Sequence, residues 1–280
     1  MKGLKQIMTS IKSQTLKRNI SDISLSGKII RGLTFPIIVI AIWEVAARQA
    51  IIDPYFLPSP SSISYTYIDM LSSGLLQTHL LTSLQRLIYG FFIAATIAIP
   101  IGILVGKTRT FRHWVNPTLS FLQQIPPIAW IPIFILWLGI DEASKVAVIV
   151  YAAFFPIFLN TVQGVISVDP KLIEVGRSFM LTPGEMIRRV YIPSAAMTIF
   201  VGLRLGLSNC WRALVGAELI AASSGLGSLI MDARNFSQAD RIFVGIFTIG
   251  VAGLLIDYLL RRIESKLMPW KKMYQAGGQS

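Results

Sequence analysis

Charged residues, cysteines and histidines are scarce in this sequence. Only 14% of its residues are charged and 53% are hydrophobic, whereas a soluble globular domain has about 25% charged residues. The single cysteine, Cys210, excludes an intrachain disulfide, and its position inside an apolar run predicts a small packing residue. The composition excludes an ordinary soluble domain and indicates an integral membrane protein in contact with lipid.

Groups that carry out covalent chemistry are equally scarce. His79 and His113 are isolated, and neither a metal-ligand cluster nor a pair of facing carboxylates can be read from the sequence. The run IGILVGKT ends like a phosphate-binding loop, but Ile101 stands where its first glycine belongs. The net charge of +12 forms no basic stripe with interleaved aromatics, so no nucleic-acid partner is predicted. We predict no enzyme and no cofactor bound by this chain.

Long apolar runs predict an all-α polytopic membrane protein with six transmembrane helices, since about 20 apolar residues cross a bilayer core. We assign residues 1–32 to a basic tail, 33–52 to the first span and 53–85 to an external segment that contains a short helix. Residues 86–263 form the core transmembrane domain, and 264–280 form a second tail. The other five spans are assigned to residues 86–106, 119–139, 144–166, 195–222 and 242–263.

The distribution of basic residues predicts the orientation of these spans, because Lys and Arg are retained on the cytoplasmic side. Of the 26 Lys and Arg residues, 19 fall in the first tail, the loop after the second span, the loop at residues 167–194 and the segment from Arg261 onward. Six spans with both termini in the cytoplasm fit this distribution. The polar segment 223–241 is predicted to dip back along the external face.

The loop at residues 167–194, called the hairpin below, has signals for two short helices. Its opening sequence SVDPKL predicts a helix start, and Thr182 with Glu185 three residues later predicts a capping box for a second helix, PGEMIRRVYI. Arg188 and Arg189 suit the C-terminal end of that helix. The residues alone leave two interpretations, an amphipathic hairpin that lies on lipid and a docking element for a cytoplasmic partner.

The hairpin resembles the cytoplasmic signature of ABC-importer permeases, in which Glu-Ala-Ala and a glycine are followed at a distance by an apolar residue and Leu-Pro. Glu174 and Gly176 match the opening of that signature, and Pro193 matches its close. The glycine that the family has between the two short helices falls on Met180, so Gly184 is expected to absorb part of the bend. The resemblance implies coupling to an ATPase through Glu174, Gly176, Arg177, Met180, Gly184, Arg188, Arg189 and Pro193.

The similarity extends over residues 56–270. The segments FLPSPSSI, QQIPPIAWIPIFILWLGIDEASK and VGAELIAASSGLG look like the subgroup of permeases that imports aliphatic sulfonates, taurine or nitrate. This resemblance implies a homodimer in the cell inner membrane, with two cytoplasmic ATPase subunits that use the ATP and an external substrate-binding protein. It also implies alternating access for a small anion, an aliphatic sulfonate first, with taurine or nitrate as alternatives.

Ionisable residues inside apolar spans are costly and tend to face protein or water. The i and i+4 spacing of Glu44 with Arg48, and of Asp257 with Arg261, predicts a pair within each helix. An ATP-independent carrier or channel is the alternative class of transport protein, and it would require internal repeats or a polar pore helix. No convincing repeat relates the two halves of the sequence.

Two groups of residues are candidates for a translocation path. Arg204, Ser208 and Arg212 form one helical stripe with no acid four residues from either arginine, which suits an anion but also suits structural arginines. Glu218 is expected to reach them only from elsewhere in the dimer. In the third span a double proline predicts a break that either lines the path or is a packing kink. The residues at this break are Gln123, Gln124, Pro126 and Pro127.

Overall fold

The computed structural model describes residues 25–49, 51, 53–221 and 223–267, and their side chains from residue 34 to residue 266. These residues are largely helical and include no β-strand, which confirms the predicted all-α class. The chain divides into two compact units, residues 1–65 and residues 66–280. Residues 1–24 and 268–280, which belong to the predicted tails, lie outside the described residues.

The first unit contains α1 (Leu25–Arg48) and the beginning of α2 (Pro60–Ser72). α1 begins inside the predicted tail rather than at residue 33. The predicted ion pair between Glu44 and Arg48 is confirmed. Glu44 also accepts hydrogen bonds from the backbone N–H of Ser61 at 3.0 Å and from its hydroxyl at 2.8 Å. A carboxylate is favoured at this place because it lies at the positive end of the α2 dipole.

The second unit contains the remaining helices, most of them joined by short connections. They are α3 (Leu75–Lys107), α4 (Arg109–Gln123), a 3₁₀ turn (Pro127–Trp130), α5 (Ile131–Leu138), α6 (Glu142–Ile166), α7 (Pro170–Ser178), α8 (Pro183–Met186), a π-helical turn (Ile187–Tyr191), α9 (Ile192–Ala221), α10 (Leu226–Asn235) and α11 (Ala239–Leu267). α3 therefore begins well inside the segment predicted to be external. α10 lies within the polar segment 223–241, whose return along the external face stays a prediction.

Within the described part of the chain, four helical segments are long and apolar enough to cross a membrane. They cover residues 75–107, 142–166, 183–221 and 239–266. α4 with the segment 127–138 makes a fifth if this pair, bent by 90°, counts as one span. Six spans thus stay a prediction, and the candidate for the third span is a bent pair that begins at Arg109 rather than at residue 119.

α6 lies between α3 and α9, and small residues bring the three helices close together. A Cβ added to Gly90 of α3 would lie 2.5 Å from the side chain of Ile149, and one added to Gly202 of α9 would lie 2.7 Å from that of Asn160. Ala98 of α3 and Ala153 of α6 are also fully buried. Membrane helices pack in this way because the hydrophobic effect does little to drive helices together in lipid. Van der Waals contact between closely spaced backbones supplies the attraction instead.

The outward surfaces of α3 and α11 are apolar, as a lipid environment requires. On α3 the exposed residues include Phe92, Ile97 and Leu104, and on α11 they include Leu254 and Leu255. A soluble bundle would place charged groups on these surfaces. The pattern of small residues inside and large apolar residues outside therefore agrees with membrane insertion.

The helix break predicted at the double proline is confirmed. α4 ends at Gln123, and the chain turns before the 3₁₀ segment that begins at Pro127. The proline rings cannot donate backbone hydrogen bonds, so carbonyl groups at the end of α4 need other donors. The hydroxyl of Tyr151 on α6 donates to the carbonyl oxygen of Leu122.

Candidate functional site

The first helix of the hairpin, α7, has a defined start and a defined stop. Asp169 precedes Pro170, and its carboxylate accepts a 2.9 Å hydrogen bond from the N–H of Lys171, as the sequence predicted for a helix start. At the other end, the N–H of Leu181 donates to the carbonyl oxygen of Gly176 at 3.2 Å. The N–H of Met180 donates to the carbonyl oxygen of Arg177 at 2.9 Å. These two bonds form a Schellman motif, which closes α7.

Met180 makes the bend between the two hairpin helices. Its φ of 52° lies in the left-handed region, which a Schellman motif requires at this position and which glycine normally occupies. The expectation that Gly184 absorbs part of the bend is wrong. Gly184 lies within α8 and has no positive φ, because the Schellman geometry places the whole reversal on one residue.

The second hairpin helix begins with the predicted capping box. The N–H of Thr182 donates to the Glu185 carboxylate at 3.0 Å, and the N–H of Glu185 donates to the Thr182 hydroxyl at 3.4 Å. The prediction of a separate short helix is wrong, however, because helix continues from α8 through the π-helical turn into α9. Pro193 has no N–H to donate to Arg189, and a shift to π-helical bonding just before it absorbs that loss.

The two hairpin helices pack tightly on each other and on the spans. A Cβ added to Gly176 would lie 2.5 Å from the sulfur of Met186, so glycine is needed for this close approach. Met186 belongs to a buried cluster that includes Ile103 of α3, Val165 of α6 and Ile199 of α9. The hairpin is therefore joined by side-chain packing to three spans, and the end of the bundle at this cluster is called the hairpin end below.

The outer surface of the hairpin combines exposed apolar and charged groups. Phe179 is 77% exposed and Met180 is 90% exposed, at the tip of the bend. The predicted coupling residues Glu174, Arg177, Arg188, Arg189 and Pro193 are all exposed, and only Gly176 among the predicted set is buried. Arg189 forms an i,i+4 ion pair with Glu185 at 3.6 Å. An open pocket beside the tip is lined by residues of both helices, including Leu172, Val175, Met180 and Arg189.

Arg204 does not stand free as the stripe of arginines suggested. Its guanidinium lies 3.0 Å from Asp257 and 3.5 Å from Glu264, both on α11. The predicted pair between Asp257 and Arg261 is also confirmed, at 2.8 Å. The sequence rule considered only acids one turn away on the same helix, whereas these acids come from a neighbouring helix. Arg204 thus joins α9 to α11 near the hairpin end.

The other residues of the two candidate path groups have different environments. Arg212 is exposed, and within the described residues no hydrogen bond or ion pair is seen for it, while Ser208 is half-buried. At the helix break, Gln123, Gln124 and Pro126 are exposed and Pro127 is half-buried.

Glu218 is placed differently from the prediction, which grouped it with the arginine stripe. It is fully buried, and its carboxylate accepts a 2.8 Å hydrogen bond from Nη1 of Arg86 on α3 in the same chain. The hydroxyl of Ser83 donates to the same carboxylate at 2.7 Å, and the N–H of Gly227 donates at 2.9 Å. A residue enclosed in this way cannot line a path, so its assignment to the translocation path is wrong.

Arg86 is the residue that the sequence reasoning missed. It is 3% exposed and binds both Glu218 and Glu142, the latter through Nε and Nη2. Lys145, also buried, donates to Glu142 at 3.0 Å. Arg86 and Lys145 each stand at the edge of an apolar run, where a charge is usually assigned to a loop. The available signal was the motif VGAELIAASSGLG, in which an acid inside an apolar run needs a buried cation.

Residues 98–269 match the family model of the binding-protein-dependent transport system inner membrane component. The chain is 40% identical over 245 residues to the aliphatic sulfonates transport permease protein SsuC of Bacillus subtilis strain 168, which covers 88% of this chain and 89% of that relative. It is 32% identical over 238 residues to the taurine transport system permease protein TauC of Escherichia coli K12, with 83% and 86% covered.

A third relative is the nitrate import permease protein NrtB of Synechocystis, which is 30% identical over 262 residues, with 90% of this chain and 94% of that relative covered. Among solved structures, an inward-facing MetNI methionine ABC transporter superposes with a TM-score of 0.61 at 18% identity, over 71% of this chain and 96% of that chain. The likeness to MetNI shows the fold alone, while the matches in sequence confirm the resemblance to ABC-importer permeases. The chain belongs to the family of inner-membrane components of binding-protein-dependent transport systems.

Proposed function

We propose that this chain is the permease subunit of an importer for a small anion, an aliphatic sulfonate first, with taurine or nitrate as alternatives. The names of the relatives from Bacillus subtilis, Escherichia coli and Synechocystis support this order. Two copies of the chain form the membrane pore, two ATPase subunits hydrolyse ATP on the cytoplasmic side, and a binding protein delivers the substrate from outside. The six-span topology with both termini in the cytoplasm belongs to the same proposal.

The observation that carries the proposal is the construction of the hairpin. Helix continues from Pro183 to Ala221, so a force on the hairpin acts directly on α9. The buried cluster around Met186 connects the hairpin to α3 and α6 as well. Displacement of this element by an ATPase would therefore rotate several spans together, which is rigid-body switching between inward-open and outward-open states. A hairpin that only lies on lipid would not need this packing.

The exposed tip is suited to a groove on the ATPase. Phe179 and Met180 offer apolar surface at the tip, and Arg177, Arg188 and Arg189 surround it with positive charge. Apolar contact with a polar rim is the usual composition of a specific protein interface. We propose that these groups, together with Glu174, make the contact with the ATPase, while Gly176 and Pro193 shape the helices that present them.

The proposed path for the anion centres on Arg212. Because Arg204 is neutralised by Asp257 and Glu264, it offers less charge to a substrate than the sequence suggested. Arg212 is exposed and lies two turns further along α9, about 12 Å away. A guanidinium fork matches the oxygens of a sulfonate. Gln123 and Gln124 are the second candidates, since exposed amides at a broken helix can donate to an anion.

Two measurements test this function. Purification of the tagged chain should recover an ATPase subunit in equal amount, and vesicles that contain the complex should take up an aliphatic sulfonate only with ATP and the binding protein present. Thermal-shift titration of the binding protein with sulfonates, taurine and nitrate identifies the substrate. Uptake that needs no ATPase would contradict the proposal and favour an ATP-independent carrier.

A further inference from the structure

A second cluster of polar residues lies at the end of the bundle opposite the hairpin, named the far end. Arg86 of α3, Glu142 of α6 and Glu218 of α9 meet there. Arg86 is 17 residues from Ile103 in the hairpin cluster, which is about 25 Å along α3. None of these groups takes part in the ATPase contact or in the anion path proposed above.

Glu218 also determines where α10 begins. Its carboxylate accepts the N–H of Gly227, and the Ser83 hydroxyl accepts the N–H of Leu226 at 2.9 Å. These N–H groups belong to the first turn of α10, which has no partners for them within the helix. The negative charge of Glu218 is also favoured at the positive end of the helix dipole. The start of α10 is therefore bound to α9 and α3 by charged and neutral hydrogen bonds.

The loop at residues 223–225 is held to the same cluster. Arg86 donates through Nη1 to the carbonyl oxygen of Ser224 and through Nη2 to its hydroxyl at 3.0 Å. His79 of α3 contacts the backbone of Gly225 through Nδ1. Gly225 has a φ of 114°, and a Cβ added there would meet the Glu218 carboxylate. Only glycine allows the loop to close over the charged pair.

The pair of Arg86 and Glu218 at the centre of the cluster is shielded from water, since their side chains are 3% and 0% exposed, whereas the side chain of Glu142 is 60% exposed. Separation of Glu218 from Arg86 would leave the Glu218 carboxylate buried without a cation, which is a large cost in an apolar environment. The ion pairs of Arg204 near the hairpin end are different, because Arg204 and Asp257 are each about one-third exposed and Arg261 shares the same acid. Exposed pairs of that kind rearrange easily.

We infer that Arg86 and Glu218 are positioning residues that bind α10 and the loop at 223–225 to the far ends of α3, α6 and α9, so that these elements move as one rigid body. This inference rests on the proposed alternating access. It predicts that the far end opens between this body and the surfaces around it, such as the second copy of the chain. The contacts around Arg86 do not separate during transport.

Spin labels on the assembled complex in lipid test the inference. In a Cys210→Ser background, labels at the exposed positions Gln85→Cys on α3 and Asn235→Cys on α10 report the distance within one copy, provided labelled copies are diluted with unlabelled ones. The single label at Gln85→Cys, undiluted, reports the distance between copies. Both distances are measured by pulsed electron paramagnetic resonance without nucleotide and with trapped ATP. Uptake by the labelled complex is assayed in parallel.

We expect the distance between copies to change by several Å while the distance within a copy stays constant to about 1 Å. A change of several Å within a copy, in complexes that transport, would overturn the inference and leave the proposed function intact. No ATP-dependent uptake and no change between copies would overturn the proposed function instead. In that case the widths of the distance distributions in the Glu218 and Asp232 variants described next still decide whether the cluster holds α10.

Variants of two carboxylates on the same side of the bundle provide the matched comparison. Glu218→Gln removes the buried charge, and we expect the distance distribution within a copy to broaden at least twofold. Asp232→Asn changes an exposed carboxylate on α10 itself and should leave the distribution as narrow as in the parent. Equal widths for the two variants would contradict the positioning role. If Glu218→Gln does not accumulate, the two-state measurement on the parent complex still decides the question.

Discussion

The guanidinium of Arg204 lies 3.0 Å from the carboxylate of Asp257, and this pair joins α9 to α11. α9 continues directly from the hairpin, so the pair connects this continuous helix to the last helix. This pair distinguishes the environments of the two arginines of the predicted stripe. Arg204 has a structural partner, and Arg212 has none among the described residues.

Replacement of the two arginines should therefore have different effects. Arg204→Gln removes the contact with α11, and we expect a loss of about 1 kcal/mol in stability and a lower yield of folded complex. Arg212→Gln should leave the yield unchanged and lower uptake of the anion at least tenfold. Yield by size-exclusion chromatography and uptake per complex are measured on both variants. Unchanged uptake per complex in Arg212→Gln would exclude it from the path.

Replacement of Met180 by glycine should raise the thermal stability of the permease when the chain is purified without its ATPase. A residue with a side chain costs roughly 1 kcal/mol in the left-handed region, and the exposed side chain of Met180 gives little packing in return. We expect Met180→Gly to raise the thermal unfolding midpoint of the purified chain and Met180→Val to lower it. Ser178→Gly, inside α7, is the control and should lower the midpoint, because glycine disfavours helix. A lower midpoint for Met180→Gly would contradict the Schellman assignment.

Gly176 and Met186 should behave as a coupled pair. Gly176→Ala places a methyl group against the Met186 sulfur, which is expected to cost about 1–3 kcal/mol through overpacking. Met186→Ala alone costs about 2 kcal/mol or more by leaving a cavity. In the double variant the added methyl partly fills that cavity, so the loss should be smaller than the sum. Additive losses in a thermal-unfolding cycle would show that the two helices do not touch at this point.

Ser83 should contribute more to the stability of the protein than its neighbour Thr82. Its hydroxyl donates to Glu218 and accepts from the N–H of Leu226, so Ser83→Ala leaves a buried donor without a partner. We expect a loss of about 1–3 kcal/mol. The neighbouring Thr82→Ala removes only a bond to the Thr78 carbonyl oxygen and should cost little. Similar losses from both substitutions, measured by thermal unfolding, would contradict the role given to Ser83.

The sequence predicted those features of the fold that depend on local physics. Proline and capping residues marked the start of α7, the capping box of α8 and the break after Gln123, because each acts through backbone hydrogen bonds within a few residues. Pairs at i and i+4, such as Asp257 with Arg261, were predicted for the same reason. Cys210 is a buried packing residue, as its apolar surroundings indicated.

Contacts between helices that are distant in the sequence could not be predicted from these local patterns. The partners of Arg204 lie 53 and 60 positions away, and Arg86 and Glu218 are 132 positions apart. A buried acid such as Glu218 signals that a cation is needed, but a periodicity rule does not show which distant helix supplies it. The continuity of α8 with α9 was also missed, because Pro193 normally signals a helix boundary and the π-helical turn that accommodates it has no sequence signature.

Charge reversal on the surface of the hairpin tests whether this element transmits force from an ATPase. The double variant Arg188→Glu with Arg189→Glu changes two exposed side chains and should leave membrane insertion unchanged. The control is Arg234→Glu, an exposed arginine on α10. The measurement is the amount of ATPase that co-purifies with each variant, with substrate uptake per ATP hydrolysed in vesicles. We predict loss of ATPase or uncoupled hydrolysis in the double variant alone, whereas normal binding and normal coupling would show that the hairpin only lies on lipid.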